Sequence, residues 1–263
     1  MPVDMHEFKF ILSLEKTDRY EPSAGFDHEV GEIDFPAWRA LFTSALLWGH
    51  STKYRLPTFA EFFSICQKSY KHKRHEGRFD EWFEPKNVGR TTERIKFFYE
   101  SGMAETYLYV CLVDAFEDIL KNGFVMYDPR FDWKQKWDAA VIVRSCKFGI
   151  DAFLGASTER KRIKERREVV ERQRKRNNMM STHLNNVERD EWVDLRISLS
   201  NDYQIVNGIK LFSIEKINTL LRQIYDISKL DQRFFFPRSR EDRNRLYDCL
   251  IKNKSVKALI IDA

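Results

Sequence analysis

The chain has 263 residues, 43% hydrophobic and 14% aromatic, with 21 Phe but only 10 Gly and 7 Pro, a composition that supports a packed core and excludes a fibrous or low-complexity chain. No apolar run approaches the roughly 20 residues of a membrane span. The opening MPVDMHEFKF lacks the basic and apolar regions of a signal peptide, so a cytoplasmic protein without a membrane partner is expected. The net charge of +5 is unevenly placed, because ten basic residues and four acids crowd between Glu159 and Arg176. Such a segment suits a phosphate-facing surface, and equally a solvated helix laced with pairs such as Glu168 to Arg172. Cys66, Cys111, Cys146 and Cys249 are widely spaced, without a paired-ligand pattern, and read as small core residues in a reducing compartment.

In chain order, residues 7–14 partly alternate and read as a short strand or an opening arm, and residues 20–31 as a loop containing Pro22, Gly25 and Gly31. Helical spacing predicts helices over 35–48, with Pro36 in the first turn, and over 58–70, introduced by Thr58. A second basic patch covers 68–78, with Lys71, His72, Lys73, Arg74 and His75. Residues 1–90 thus form an aromatic-rich, mostly helical unit, and 91–263 the main domain. There a long helix is expected over 91–122, broken near Gly102 and stopped by Gly123. Strands follow at 124–127, 137–143 and 148–154, then the basic helix at 158–176 and a polar loop at 177–190. Two further strands (192–199 and 205–212), a helix from Ser213 to about 225, a helix over 239–252 and an apolar run at 256–261 complete the chain. The order helix, strand, strand, strand, helix, strand is that of an α/β (α+β) domain, a mixed central sheet flanked by helices.

Three carboxylates fall where such a topology can hold a metal. Glu105 lies on the long helix, Asp138 inside WDAAVIV and Asp151 inside FGIDAFL. An acid among apolar strand residues is costly unless it is paired or coordinating. The bland alternative is that the two aspartates end their strands or pair with Arg144, Lys136 or Lys147. Hard divalent cations such as Mg²⁺ take carboxylate oxygens, and a nearby lysine can orient water or stabilise developing charge. The other candidates are weaker. His72 and His75 form an H-x-x-H without a second pair, and no phosphate-cradling G-x-x-x-x-G-K-[ST] or G-x-S-x-G elbow is present. Phe234–Phe235–Phe236 reads as core strand rather than as a base-stacking platform.

On Glu105, Asp138 and Asp151, residues 103–226 resemble the PD-(D/E)XK (restriction-endonuclease-like) nuclease superfamily. In that family a helix glutamate precedes a strand aspartate, and the hairpin-mate strand carries D/E-x-K. Asp138 and Asp151 match the two strand acids, while Glu105 matches by position. The residue two after Asp151 is Phe153 where the family has lysine, so Lys164, or Lys161, on the following helix is the substitute. The resemblance implies a metal-dependent DNA endonuclease using Mg²⁺ or Mn²⁺, acting as a homodimer or with partner subunits, in restriction, defence or a mobile element. Arg160, Lys161, Arg162, Arg166 and Arg167, with Lys71, Lys73 and Arg74, are the expected nucleic-acid contacts. The alternative is a non-catalytic nucleic-acid-binding or assembly protein on a degraded nuclease fold.

Overall fold

The structure, a computed structural model, describes residues 5–23, 38–53, 55–70, 83–127, 137–153, 192–252 and 260–262. It is a mixed α+β protein in two compact units, residues 1–110 with 204–211, and residues 111–203 with 212–263. The predicted basic helix at 158–176, the loop at 177–190 and most of the 68–78 patch lie outside the described residues. Among those described, no helix is long and apolar enough to cross a membrane.

The first unit is mostly helical. Its opening segment is a helix, α1 (Glu7–Glu15), rather than the expected strand or arm. The alternation of Phe8 and Phe10 is only local. Phe8, Ile11 and Leu14, three apart, together with Phe10, make one buried helical stripe. Next come α2 (Trp38–Lys53), five residues longer than its predicted end, and α3 (Phe59–Tyr70). Thr58 starts α3 with a reciprocal cap: Glu61 N–H donates to the Thr58 hydroxyl (3.3 Å) and Thr58 N–H donates to the Glu61 carboxylate (2.9 Å). Phe42, Phe59, Phe62, Tyr20 and Tyr99 form a continuous aromatic cluster.

The long helix α4 (Val88–Val113) is unbroken at Gly102. That glycine is a packing feature, since a Cβ there would stand 2.5 Å from the Phe42 ring. The irregularity comes later, where the helix widens into a π-helical segment, Asp114–Ile119.

The second unit holds a four-stranded mixed sheet, β1 (Gly123–Met126), β2 (Ala139–Val143), β3 (Cys146–Phe153) and β4 (Trp192–Ser198), in the order β1-β2-β3-β4. The first two pairings are antiparallel and β3–β4 is parallel. Glu117 of the π segment accepts the Val125 N–H (2.6 Å), tying that segment to β1. The amphipathic helix α5 (Ile214–Ser228) is capped by Ser213 and stopped by left-handed Lys229, and Phe116 meets its Tyr225 edge-on. A two-stranded sheet of β7 (Gln232–Phe234) and β8 (Ile260–Asp262), and α6 (Arg240–Ile251) capped by Ser239, complete the unit.

The expected strand 205–212 is instead a hairpin, β5 (Tyr203–Val206) and β6 (Ile209–Phe212). Asn207 and Gly208 both have positive φ, the requirement of a tight two-residue turn that Asn-Gly meets at least cost. Within the first unit the Asn207 amide donates to Leu14 O (3.2 Å), Thr17 O (3.2 Å) and Asp18 O (3.0 Å), closing the end of α1.

Candidate metal centre on the β2–β3 hairpin

The Val143–Cys146 pair closes the β2–β3 hairpin around Arg144 and Ser145, with Arg144 left-handed. At this turn the Arg144 guanidinium donates to Lys229 O (2.6 Å) and to Asp231 (2.8 Å). The two candidate aspartates sit at the opposite, open end of the hairpin. The register ends at Ala139 with Ile150, so Asp138 is the residue just before β2, while Asp151 lies within β3, one residue past that last pair. Asp138 N–H donates to Ile150 O (2.7 Å), and its carboxylate accepts the Ala152 N–H (2.6 Å). That carboxylate takes the place of a ladder carbonyl, which holds it at the point where β2 ends and β3 runs on. Both acids are buried, Asp138 at 5% and Asp151 at 1% relative exposure.

Among the described residues, β3 beyond this point pairs with β4, Asp151 beside Arg196 and Phe153 beside Ser198. Burial alternates along β4: Asp194 and Arg196 are exposed, while Leu195 and Ile197 are buried. The parallel register puts Gly149 next to Asp194 on the same face as Asp151. Trp137 lies over Gly149. Its indole N–H donates to Asp194 (2.7 Å), and its ring packs on Trp192 with centroids 4.7 Å apart. A Cβ on residue 149 would come within 2.1 Å of Trp137, so the glycine leaves the room the indole occupies. This apolar cover, fixed by one hydrogen bond, sits on the residue immediately before Asp138.

Glu105 has a different environment. In the first unit its two carboxylate oxygens accept from Arg39 Nη2 (2.9 Å) and Nε (3.0 Å), with both side chains buried. This bidentate pair accounts for a buried glutamate on α4 without any ion. Phe153, where the family has lysine, is 1% exposed and part of the core. Lys161 and Lys164 lie outside the described residues, as do Arg160, Arg162, Arg166, Arg167, Lys71, Lys73 and Arg74.

Trp137, Asp194 and Arg196 were not singled out from the sequence. The alternation in WVDLRIS carries a signal for the last two, but their place beside Asp151 depends on a parallel pairing across a long connection. All four cysteines are free thiols, Cys66 and Cys111 buried and Cys146 and Cys249 partly so. No protein-family model, curated protein or solved structure matches this chain.

Proposed function

We propose that this protein is a metal-dependent endonuclease hydrolysing phosphodiester bonds in DNA, built on a restriction-endonuclease-like core. The observation that carries the reading is the burial of two aspartates at the open end of one hairpin, Asp138 just before β2 and Asp151 within β3, one residue past the last pair of the register. Two buried carboxylates at one strand end lose hydration, a cost that a divalent cation between them would offset. Their oxygens are the donor set that Mg²⁺ or Mn²⁺ takes. When bound, the ion supplies positive charge against the developing charge on phosphate.

The chain's own residues orient and shield this site. Ala152 N–H fixes the Asp138 carboxylate, and Trp137 over Gly149 keeps water from one side of the strand end. Glu105 is held by Arg39 within the first unit, so the proposed metal site rests on Asp138 and Asp151. Lys164, or Lys161, is assigned the lysine role. The segment 159–176 and the patch 68–78 carry the charge that would grip phosphates. Partner subunits or a second copy would serve the other DNA strand.

One observation favours a second reading, a nucleic-acid-binding protein without catalysis. The position of the in-strand lysine is filled by Phe153, deep in the core. Supercoiled plasmid with Mg²⁺ or Mn²⁺ separates the two. Nicking by the wild type, absent in the Asp138→Ala/Asp151→Ala variant, is the expected result. Absence of cleavage with salt-sensitive DNA binding intact in both proteins would overturn the nuclease in favour of the binding protein.

A further inference from the structure

Helix α5 buries Ile214, Ile217, Leu220, Leu221 and Ile224, so its other face turns outward. Glu215, Asn218, Thr219 and Arg222, at positions i, i+3, i+4 and i+7, make one stripe there. This stripe and residues 235–238 enclose a groove of about 330 Å³, lined by all four residues together with Phe235, Phe236 and Arg238. The groove is built rather than incidental. The Asn218 amide donates to Phe236 O (2.9 Å) and accepts Phe236 N–H (2.8 Å), locking the segment after β7 onto the helix. Phe234 and Phe236 are core residues, while Phe235 stays half-buried at the groove, its ring edge-on to Tyr225.

Two arginines frame this ring. The Arg222 guanidinium lies 5.4 Å from the Phe235 centroid, and among the described residues no acid pairs with it. Arg238 meets Glu215 at 3.6 Å, but both side chains are largely exposed, so the pair contributes little and can be exchanged for an anion. An unpaired guanidinium against an aromatic ring, a loosely held second guanidinium and a recess of nucleotide size suit a phosphate with a flat base attached. The recess admits an unstacked base, which a duplex does not present.

We infer that the groove between α5 and residues 235–238 binds a single-stranded segment of nucleic acid, its phosphate between Arg222 and Arg238 and a base against Phe235. This rests on the reading of the protein as one that acts on DNA, and places a strand contact apart from the aspartate pair. The test is fluorescence anisotropy of labelled oligo-dT, and of a duplex of equal length, with the full chain in EDTA. Arg222→Ala/Arg238→Ala, checked for an unchanged melting temperature, is expected to lose about tenfold in oligo-dT affinity. Its slope of log affinity against log salt should flatten by about one, while duplex binding stays as in wild type. Glu215→Gln, which frees Arg238, should strengthen oligo-dT binding. Equal oligo-dT affinity and slope in the double variant overturn the inference. So does dTMP alone binding as tightly as the oligonucleotide, which would make the groove a mononucleotide site. Plasmid cleavage by wild type with unaltered oligo-dT binding in the double variant sinks the groove and leaves the nuclease. No cleavage, with oligo-dT binding lost in that variant, does the reverse.

Discussion

The two units offer different settings for their acids. In the first, Glu105 is matched by the two-pronged guanidinium of Arg39, Glu7 accepts the Tyr107 hydroxyl (2.8 Å), and Glu100 accepts from Tyr20 (2.9 Å) and from Ser23. Burial and the Glu100 carboxylate beside it push the Tyr20 hydroxyl well above the usual tyrosine range. In the second unit, Asp138 and Asp151 are both buried at the open end of the β2–β3 hairpin, where Asp138 accepts the Ala152 N–H (2.6 Å) and Asp151 lies beside Arg196 of β4. A buried acid matched by an opposite charge is explained by folding alone. Two buried acids at one strand end would be matched by the proposed cation.

The comparison breaks most readily at Arg39. Arg39→Met leaves Glu105 buried without its partner and is expected to cost about 3–5 kcal/mol in chemical denaturation. Arg39→Met with Glu105→Leu should recover most of the loss, since a matched apolar pair strands no charge. Recovery failing in the double variant would mean that Glu105 has a further task. For the aspartates, Mn²⁺ at about a hundredfold its dissociation constant should stabilise the wild type by about 2.7 kcal/mol in thermal melts. Asp138→Asn/Asp151→Asn should abolish that increment, and an increment surviving in this variant would place the ion elsewhere.

Smaller effects sharpen the local geometry. Gly149→Ala drives a methyl group into Trp137 and should cost about 1–3 kcal/mol, with a shift in tryptophan fluorescence as the indole leaves Asp194. The smallest expected change is at the α3 cap, where Glu61→Gln should cost about 1 kcal/mol near neutral pH. Burial alone would raise the Glu61 carboxyl, but hydrogen bonds from Arg55, Lys53 and the Thr58 N–H lower it to about 2, from an ordinary 4.5. Its folded-state value is depressed, so the stabilisation is fully present above pH 4.5 and is lost as pH falls toward 2. Denaturation curves of wild type and Glu61→Gln should therefore converge across that interval. Curves that stay parallel would refute the assignment.

Much of the local structure could be read directly. Thr58 precedes the apolar positions of α3 and Ser213 precedes an amphipathic pattern, so α3 and α5 have their predicted starts to within a residue. The strands expected at 137–143 and 148–154 are found as β2 and β3, but β2 begins at Ala139, so Asp138 precedes the strand instead of lying inside it, and β3 begins two residues early, at Cys146. The misreadings have local causes. Phe8 and Phe10 mimic a strand because two-residue alternation and a helical stripe coincide over so short a stretch. The 205–212 strand absorbed an Asn-Gly turn that, weighed by itself, marks a hairpin.

The candidate site divides along the same line. Asp138 and Asp151 could be chosen from the sequence because acids among apolar residues are conspicuous, and their place at one end of the hairpin follows from a register that is nearly local. Three things needed the folded chain. One is the match of Glu105 to Arg39, sixty-six residues apart. Another is the parallel β3–β4 pairing that brings Asp194 and Trp192 to Trp137 and Gly149. The last is the membership of residues 204–211 in the first unit. Side-chain periodicity reports which face of an element is buried, whereas partners distant in the chain are chosen by the packing of whole faces, and that choice exists only in the tertiary structure.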